Sequence, residues 1–125
     1  MKRVLIVEDA ANYRRWLRGQ VSRLVGPAEV TMAETGESAG AAFVPGETDL
    51  VLLDLGLPSD DSDPLPRVET GLELLTRMRS ADPKAVIVVL TSHRELEETC
   101  TRAGCDSFLG KGDAALAEGL AAALA

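Results

Sequence analysis

Glu8 and Asp9, Asp54, Thr91 and Lys111 are the residues of this 125-residue chain whose types and positions offer chemistry. Each closes an apolar run. Val4-Leu5-Ile6-Val7 runs into Glu8-Asp9, Leu50-Val51-Leu52-Leu53 into Asp54, Ala85 to Leu90 into Thr91, and Phe108-Leu109-Gly110 into Lys111. An ionised aspartate is costly to bury. A carboxylate ending such a run therefore belongs either to a turn, here finished by Gly56 and Pro58, or to the mouth of a crevice where the charge has a use. On that stretch alone both readings stand. If the four run ends share one rim, Glu8, Asp9 and Asp54 repel one another and raise one another's pKa unless a cation joins them. An oxygen-only donor set without His or Cys suits a hard divalent ion that keeps several waters, and Mg²⁺ is the natural choice. Phosphoryl transfer needs a nucleophile, in-line positioning, and cations or donors on the equatorial oxygens. Asp54 would be the nucleophile, forming an acyl phosphate, with Mg²⁺, the Lys111 ammonium and the Thr91 hydroxyl each holding one oxygen. Taken singly, each residue has a plainer role. Glu8-Asp9 could cap a helix, Thr91 could end a strand, and Lys111 could be a surface lysine.

The elements that would bring these residues together follow from the pattern of apolar positions. Lys2–Val7 reads as a strand. Over Ala11–Leu24, Tyr13, Trp16, Leu17, Val21 and Leu24 recur at three- and four-residue spacings, the signature of an amphipathic helix. Gly26-Pro27 ends it, and Ala28–Ala33 has the alternation of an edge strand. A short helix is expected over Gly36–Phe43, followed by a strand over Leu50–Asp54 that is apolar throughout, as a strand covered on both faces is. Ser59 to Arg67, acidic and proline-bearing, reads as an exposed loop of unusual length. Thr70-Gly71-Leu72-Glu73 has the form of a capping box, with Leu72, Leu75 and Met78 as the stripe of a helix running to Ala81. A β-branched strand over Ala85–Leu90 follows. Ser92-His93-Arg94-Glu95 suggests a second capping box before a helix to Ala103. A short strand over Asp106–Gly110 and an alanine-rich helix over Ala114–Ala125, with Leu116, Leu120 and Leu124 on one face, complete the chain. Strand and helix alternate five times, which predicts an α/β fold: one doubly wound (βα)5 domain over residues 1–125, with a five-stranded parallel sheet in the order 2-1-3-4-5. Its crevice lies where the strand order reverses, between the first and third strands, so Glu8, Asp9 and Asp54 would meet there.

Composition narrows the function. A formal net charge of −7 disfavours binding of nucleic acid or an anionic membrane and favours cations and basic partners. No apolar run is long enough to span a bilayer or act as a signal peptide, so the chain is expected in the cytoplasm. Cys100 and Cys105 lack a second pair to complete a zinc site and are expected to be reduced.

Val7-Glu8-Asp9, Leu53-Asp54-Leu55-Gly56-Leu57-Pro58, Gly71-Leu72-Glu73-Leu74-Leu75, Leu90-Thr91-Ser92 and Gly104 to Lys111 resemble, in order and spacing, the receiver domain of two-component response regulators, the CheY-like, flavodoxin-like fold. The resemblance covers the whole chain. It implies that Asp54 is the phospho-acceptor, that Asp9 and Asp54 ligate Mg²⁺ directly, that Glu8 does so through water, and that the Gly56 carbonyl is a further ligand. It makes Thr91 the switch hydroxyl, Lys111 the phosphate-binding lysine, and Phe108 the switch aromatic. A phosphoryl group drawing Thr91 inward would leave space for Phe108 to fill, although a plain core aromatic is an equal reading of Phe108. The implied partners are a sensor histidine kinase or phosphotransfer protein as donor, and a downstream protein or a missing effector domain as receiver of the signal, with a homodimer left open. No output domain is visible, so the chain is either a stand-alone regulator or one cut from its effector. The resemblance describes a switch more than a turnover enzyme.

Rival readings are an Asp-nucleophile phosphatase of the haloacid-dehalogenase type, a receiver-like scaffold that is never phosphorylated, and a flavodoxin-like electron carrier. The first lacks its Asp-x-Asp signature, since Gly56 stands two residues after Asp54, and the last lacks a Ser/Thr-rich loop after the first strand. Three departures from the family stand out: Gly112 where proline usually follows the lysine, which would leave Lys111 less fixed, the long acidic loop between Ser59 and Thr70, and Ser92-His93 after the threonine.

Overall fold

The computed structural model describes residues 1–125. Five strands, β1 (Lys2–Val7), β2 (Ala28–Ala33), β3 (Leu50–Leu53), β4 (Val86–Thr91) and β5 (Ser107–Gly110), pair in parallel in the order β2-β1-β3-β4-β5. The helices between and after them are α1 (Ala11–Leu24), α2 (Gly36–Ala42), α3 (Val68–Ala81), α4 (Glu97–Ala103), preceded by a 3-10 turn at Arg94–Leu96, and α5 (Leu116–Leu124). Fold class and strand order are those expected from the sequence.

The side-chain period of two along each strand divides the core into two. Leu5, Val7, Val51, Leu53, Ile87 and Val89 pack with Leu74, Leu75 and Met78 of α3 and with Phe43, Ala39 and Cys100 on one face. Val4, Ile6, Leu50, Leu52, Val88 and Leu90 pack with Leu17 and Val21 of α1 and Leu120 and Leu124 of α5 on the other. β3 is buried at all four positions, which is why its sequence shows no alternation. No helix is long and apolar enough to cross a membrane. Cys100 and Cys105 are both free thiols, and burial pushes Cys100 up to about 11.

Several local expectations need correction. α3 begins at Val68, not at Thr70, and its N-cap Arg67 makes no side-chain cap. A two-way backbone pairing between Leu57 and Arg67 (3.0 and 3.3 Å) sets the entry point instead, and tertiary pairing overrides the local motif. Thr70 thus lies within the first turn, with its hydroxyl 3.4 Å from that of Ser59. The buried stripe of α3 runs through Leu74 as well as Leu75 and Met78, and Leu72 is only half-buried. Ser92 caps nothing either; the chain turns through the 3-10 segment first, and α4 starts at Glu97. The working capping box is at α2, where Thr35 accepts from the Ser38 amide and the Ser38 hydroxyl accepts from the Thr35 amide. The long loop is exposed at its tip but organised at its base: Leu57 is buried, and one oxygen of Asp60 accepts from the amides of Ser62 and Asp63 and the Ser62 hydroxyl. Those bonds hold the Asp60 carboxyl below its usual value.

Candidate phosphoryl-acceptor and metal site

Parallel strands end their registers together, and here the ends of β1, β3, β4 and β5 form one rim. Asp54 is the residue after β3, its amide donating to the Val7 carbonyl at 2.9 Å, so it stands beside Glu8 across the β1–β3 junction where the strand order reverses. Lys111 is held to β4 by its amide, which donates to the Thr91 carbonyl at 2.9 Å. The register pairs Leu53 with Val89, placing Thr91 on the neighbouring strand one residue beyond the level of Asp54.

Carboxylate oxygens of Glu8, Asp9 and Asp54 lie within 4.8 Å of one another. None of the loop aspartates belongs to this group. Glu8 is only 1% exposed and Asp54 8%, and Asp9 is the most open of the three. Burial raises the Asp9 pKa, and the hydrogen bond and charge of Glu8 raise it further. The Lys111 ammonium is drawn into this crowd. It binds Glu8 Oε1 directly and lies 3.4 Å from Asp54 Oδ2. Burial by itself would lower its pKa, but the Glu8 hydrogen bond and the Asp54 and Glu8 charges outweigh that, and the net shift is upward. One ammonium against three carboxylates leaves two formal negative charges, the charge of a divalent cation with opposite sign. An all-oxygen cluster with that residue of charge fits Mg²⁺.

Other groups fix the geometry. Asp54 Oδ1 accepts the Leu55 amide at 2.8 Å, which sets the plane of the carboxylate. The α1 residue Arg14 donates through Nη1 to the carbonyls of both Glu8 and Asp9 at 2.9 Å and pairs with Glu34 through Nη2. The Thr91 side chain is fully buried, and its hydroxyl oxygen accepts the His93 amide at 3.2 Å while its own proton makes no hydrogen bond. Gly56 sits in the turn two residues past Asp54, half-buried, and a Cβ there would touch nothing within 4 Å. Phe108 is half-buried against the α3 side of the sheet. His93 is exposed, with Nδ1 3.2 Å from Glu95. Every peptide bond is trans, that between Lys111 and Gly112 included. Sequence reasoning missed Tyr13 as a site neighbour: the Lys111 ammonium lies 4.3 Å from the centre of its ring.

The family model for the response regulator receiver domain matches residues 4–118. The transcriptional regulatory protein PhoP of Escherichia coli is 32% identical over 111 residues, covering 87% of this chain and 45% of PhoP. The chain spans less than half the length of the curated relatives it matches. Among solved structures, the response regulator TrrA of Thermotoga maritima, in complex with Mg²⁺-BeF, is 29% identical with a TM-score of 0.72 and covers 92% of this chain and 90% of its own. A Burkholderia pseudomallei response regulator with a phosphorylated aspartic acid, calcium ion and citrate is 25% identical with a TM-score of 0.72, over 100% of this chain and 67% of that one.

Proposed function

Because this chain belongs to the response regulator receiver domain family of two-component systems, we propose that Asp54 accepts a phosphoryl group from a sensor histidine kinase or phosphotransfer protein and thereby alters a protein-binding surface. The observation that carries the reading is the convergence of Glu8, Asp9 and Asp54 on one rim, with the Lys111 ammonium reaching Asp54 Oδ2. An oxygen of the Asp54 carboxylate attacks phosphorus, the bond from phosphorus to the donor's imidazole nitrogen breaks, and the nitrogen keeps the electron pair. The product is an acyl phosphate. Lys111 balances charge on one phosphoryl oxygen, and the unengaged proton of Thr91 is available to a second. Asp9, Asp54 and the Gly56 carbonyl would hold Mg²⁺, with Glu8 reaching it through water, and the ion supplies positive charge to the remaining oxygen. Support for these roles comes from the Mg²⁺-BeF complex of the Thermotoga relative and the phosphorylated aspartic acid of the Burkholderia one.

Movement of Thr91 toward a phosphoryl group would loosen the packing against β5, and Phe108, half-buried on that strand, which packs against α4, would respond. The partner served is a downstream protein or an effector domain, and a homodimer is a further candidate. The domain works in the cytoplasm as a switch and not as a turnover enzyme on small molecules. The test is incubation with acetyl phosphate or a phosphorylated kinase, with and without Mg²⁺, followed by intact-mass measurement of wild type and Asp54→Asn. Mg²⁺-dependent uptake lost in the variant supports the switch. Steady turnover of phosphate esters would point to a phosphatase, and no uptake from any donor to a scaffold.

A further inference from the structure

The four-carbon stem of a lysine leaves its ammonium free to wander unless something fixes it. Residue 112 does not do so here, because it is glycine, a Cβ added there would touch nothing within 4 Å, and the bond joining it to Lys111 is an ordinary trans peptide. What surrounds the ammonium is a set of three partners. Glu8 and Asp54 are two, and the face of Tyr13, 4.3 Å to the ring centre, is the third. A cation over an aromatic face is attracted by the ring's quadrupole, more strongly where water is excluded, and the Lys111 side chain is only 19% exposed. The ring itself is held. Trp16, one turn further along α1, meets Tyr13 edge-on at 5.6 Å and 71°. Burial raises the phenol pKa, so the ring stays neutral at working pH.

We propose that Tyr13 is a positioning residue for Lys111, supplying from α1 the restraint that residue 112 does not. The carboxylates that now hold the ammonium are those a divalent cation would take, whereas the ring is neutral and ligates no metal. When the acidic cluster is occupied, Tyr13 is the partner that stays with Lys111 and keeps it directed at Asp54. The inference rests on the proposed role of Lys111 in phosphoryl transfer, but its geometric part can be read without any phosphorylation.

The chain has three lysines, Lys2, Lys84 and Lys111, so the side-chain CH₂ε signals of Lys111 can be assigned by NMR with Lys111→Arg as reference. The wild type is expected to show an upfield ring-current shift of that signal, with and without saturating Mg²⁺. Tyr13→Phe retains it, and Tyr13→Leu and Tyr13→Met lose it. In acetyl phosphate reactions with Mg²⁺, Tyr13→Leu and Tyr13→Met slow phosphorylation about fivefold, Tyr13→Phe restores it, and the loss vanishes in a Lys111→Met background. A Lys111 signal indifferent to the ring overturns the inference, as does a slowing of equal size with Lys111 removed, which would make Tyr13 merely structural. If the wild type takes up no phosphate at all, the proposed function fails, while the NMR comparison still decides whether Tyr13 holds the lysine.

Discussion

Lys111 and a divalent cation want the same oxygen atoms. The ammonium sits on Glu8 Oε1 and near Asp54 Oδ2, and both residues belong to the carboxylate cluster that would take the metal. Mg²⁺ must therefore displace part of an existing ion pair and then tolerate a neighbouring positive charge. Lys111→Met removes both penalties. We expect it to bind Mg²⁺ about tenfold more tightly by isothermal titration calorimetry, since a charge pair at this spacing in a partly buried site is worth about 1–2 kcal/mol, even as the same change slows phosphoryl uptake. Unchanged or weaker Mg²⁺ binding would show that the ammonium and the ion do not compete. The residue types at this rim were legible in the sequence because each acidic, hydroxyl or cationic group ended an apolar run. The partners that aim them were not. Arg14 and Tyr13 read as ordinary positions on an amphipathic helix, and nothing in their local pattern marks a guanidinium that ties down two carbonyls or a ring beneath a distant lysine.

At the level of elements, α3 touches the segment after Asp54 backbone to backbone. The Gly71 amide donates to the Leu55 carbonyl at 3.1 Å, and a Cβ on Gly71 would come within 2.2 Å of the Leu55 Cα. Main chain cannot yield as a flexible side chain does, so Gly71→Ala pushes α3 away from the turn that carries Asp54 and Gly56. A loss of about 1–3 kcal/mol in urea unfolding is expected, the range for overpacking, together with slower phosphorylation. Full stability in the variant would mean that α3 shifts freely. Long-range ties of this kind also explain the misplaced helix starts. Thr70 and Ser92 carry good local capping patterns, yet the Leu57–Arg67 pairing and the 3-10 turn decide where α3 and α4 begin. A second tie is Asp82 at the end of α3, which accepts the amides of Gly46, Lys84 and Ala85 and so fastens the loop before β3 to the loop before β4. Arg79 adds bonds to the carbonyls of Gly104, Asp82 and Ala85 and to the Asp106 carboxylate. The amides of Gly46 and Lys84 hold the Asp82 carboxyl below its usual value. Its stabilising contribution is thus intact above the unfolded pKa of about 3.9 and disappears as the pH falls through the lower folded value. Asp82→Asn should be less stable than wild type at pH 6, with the gap closing on acidification through that window. A gap independent of pH would remove the charge from the explanation.

For the molecule as a whole, alternation of strand and helix was enough to predict the sheet order, because right-handed crossovers leave few topologies for a chain this short. Net charge was less informative than its distribution. The chain carries −7 overall, yet α1 holds Arg14, Arg15, Arg18 and Arg23 with no acidic residue, so the negative excess lies elsewhere, part of it compressed into the rim. Folding must force Glu8, Asp9 and Asp54 together against their repulsion, which makes the folded state a better cation binder than the unfolded chain. A ligand that binds only the folded state stabilises it by RT ln(1 + [L]/Kd), about 2.7 kcal/mol at a hundred times Kd. Mg²⁺ should accordingly raise the melting temperature measured by circular dichroism, and KCl at matched ionic strength should raise it much less, because screening acts on all exposed charges but fills no site. Asp9→Asn separates the two effects. It relieves the repulsion, so the variant should melt above the metal-free wild type, and it removes a ligand, so the increment with Mg²⁺ should largely vanish. If KCl matched Mg²⁺, or if Asp9→Asn kept the full increment, the stabilisation would come from general screening and the rim would hold no specific ion.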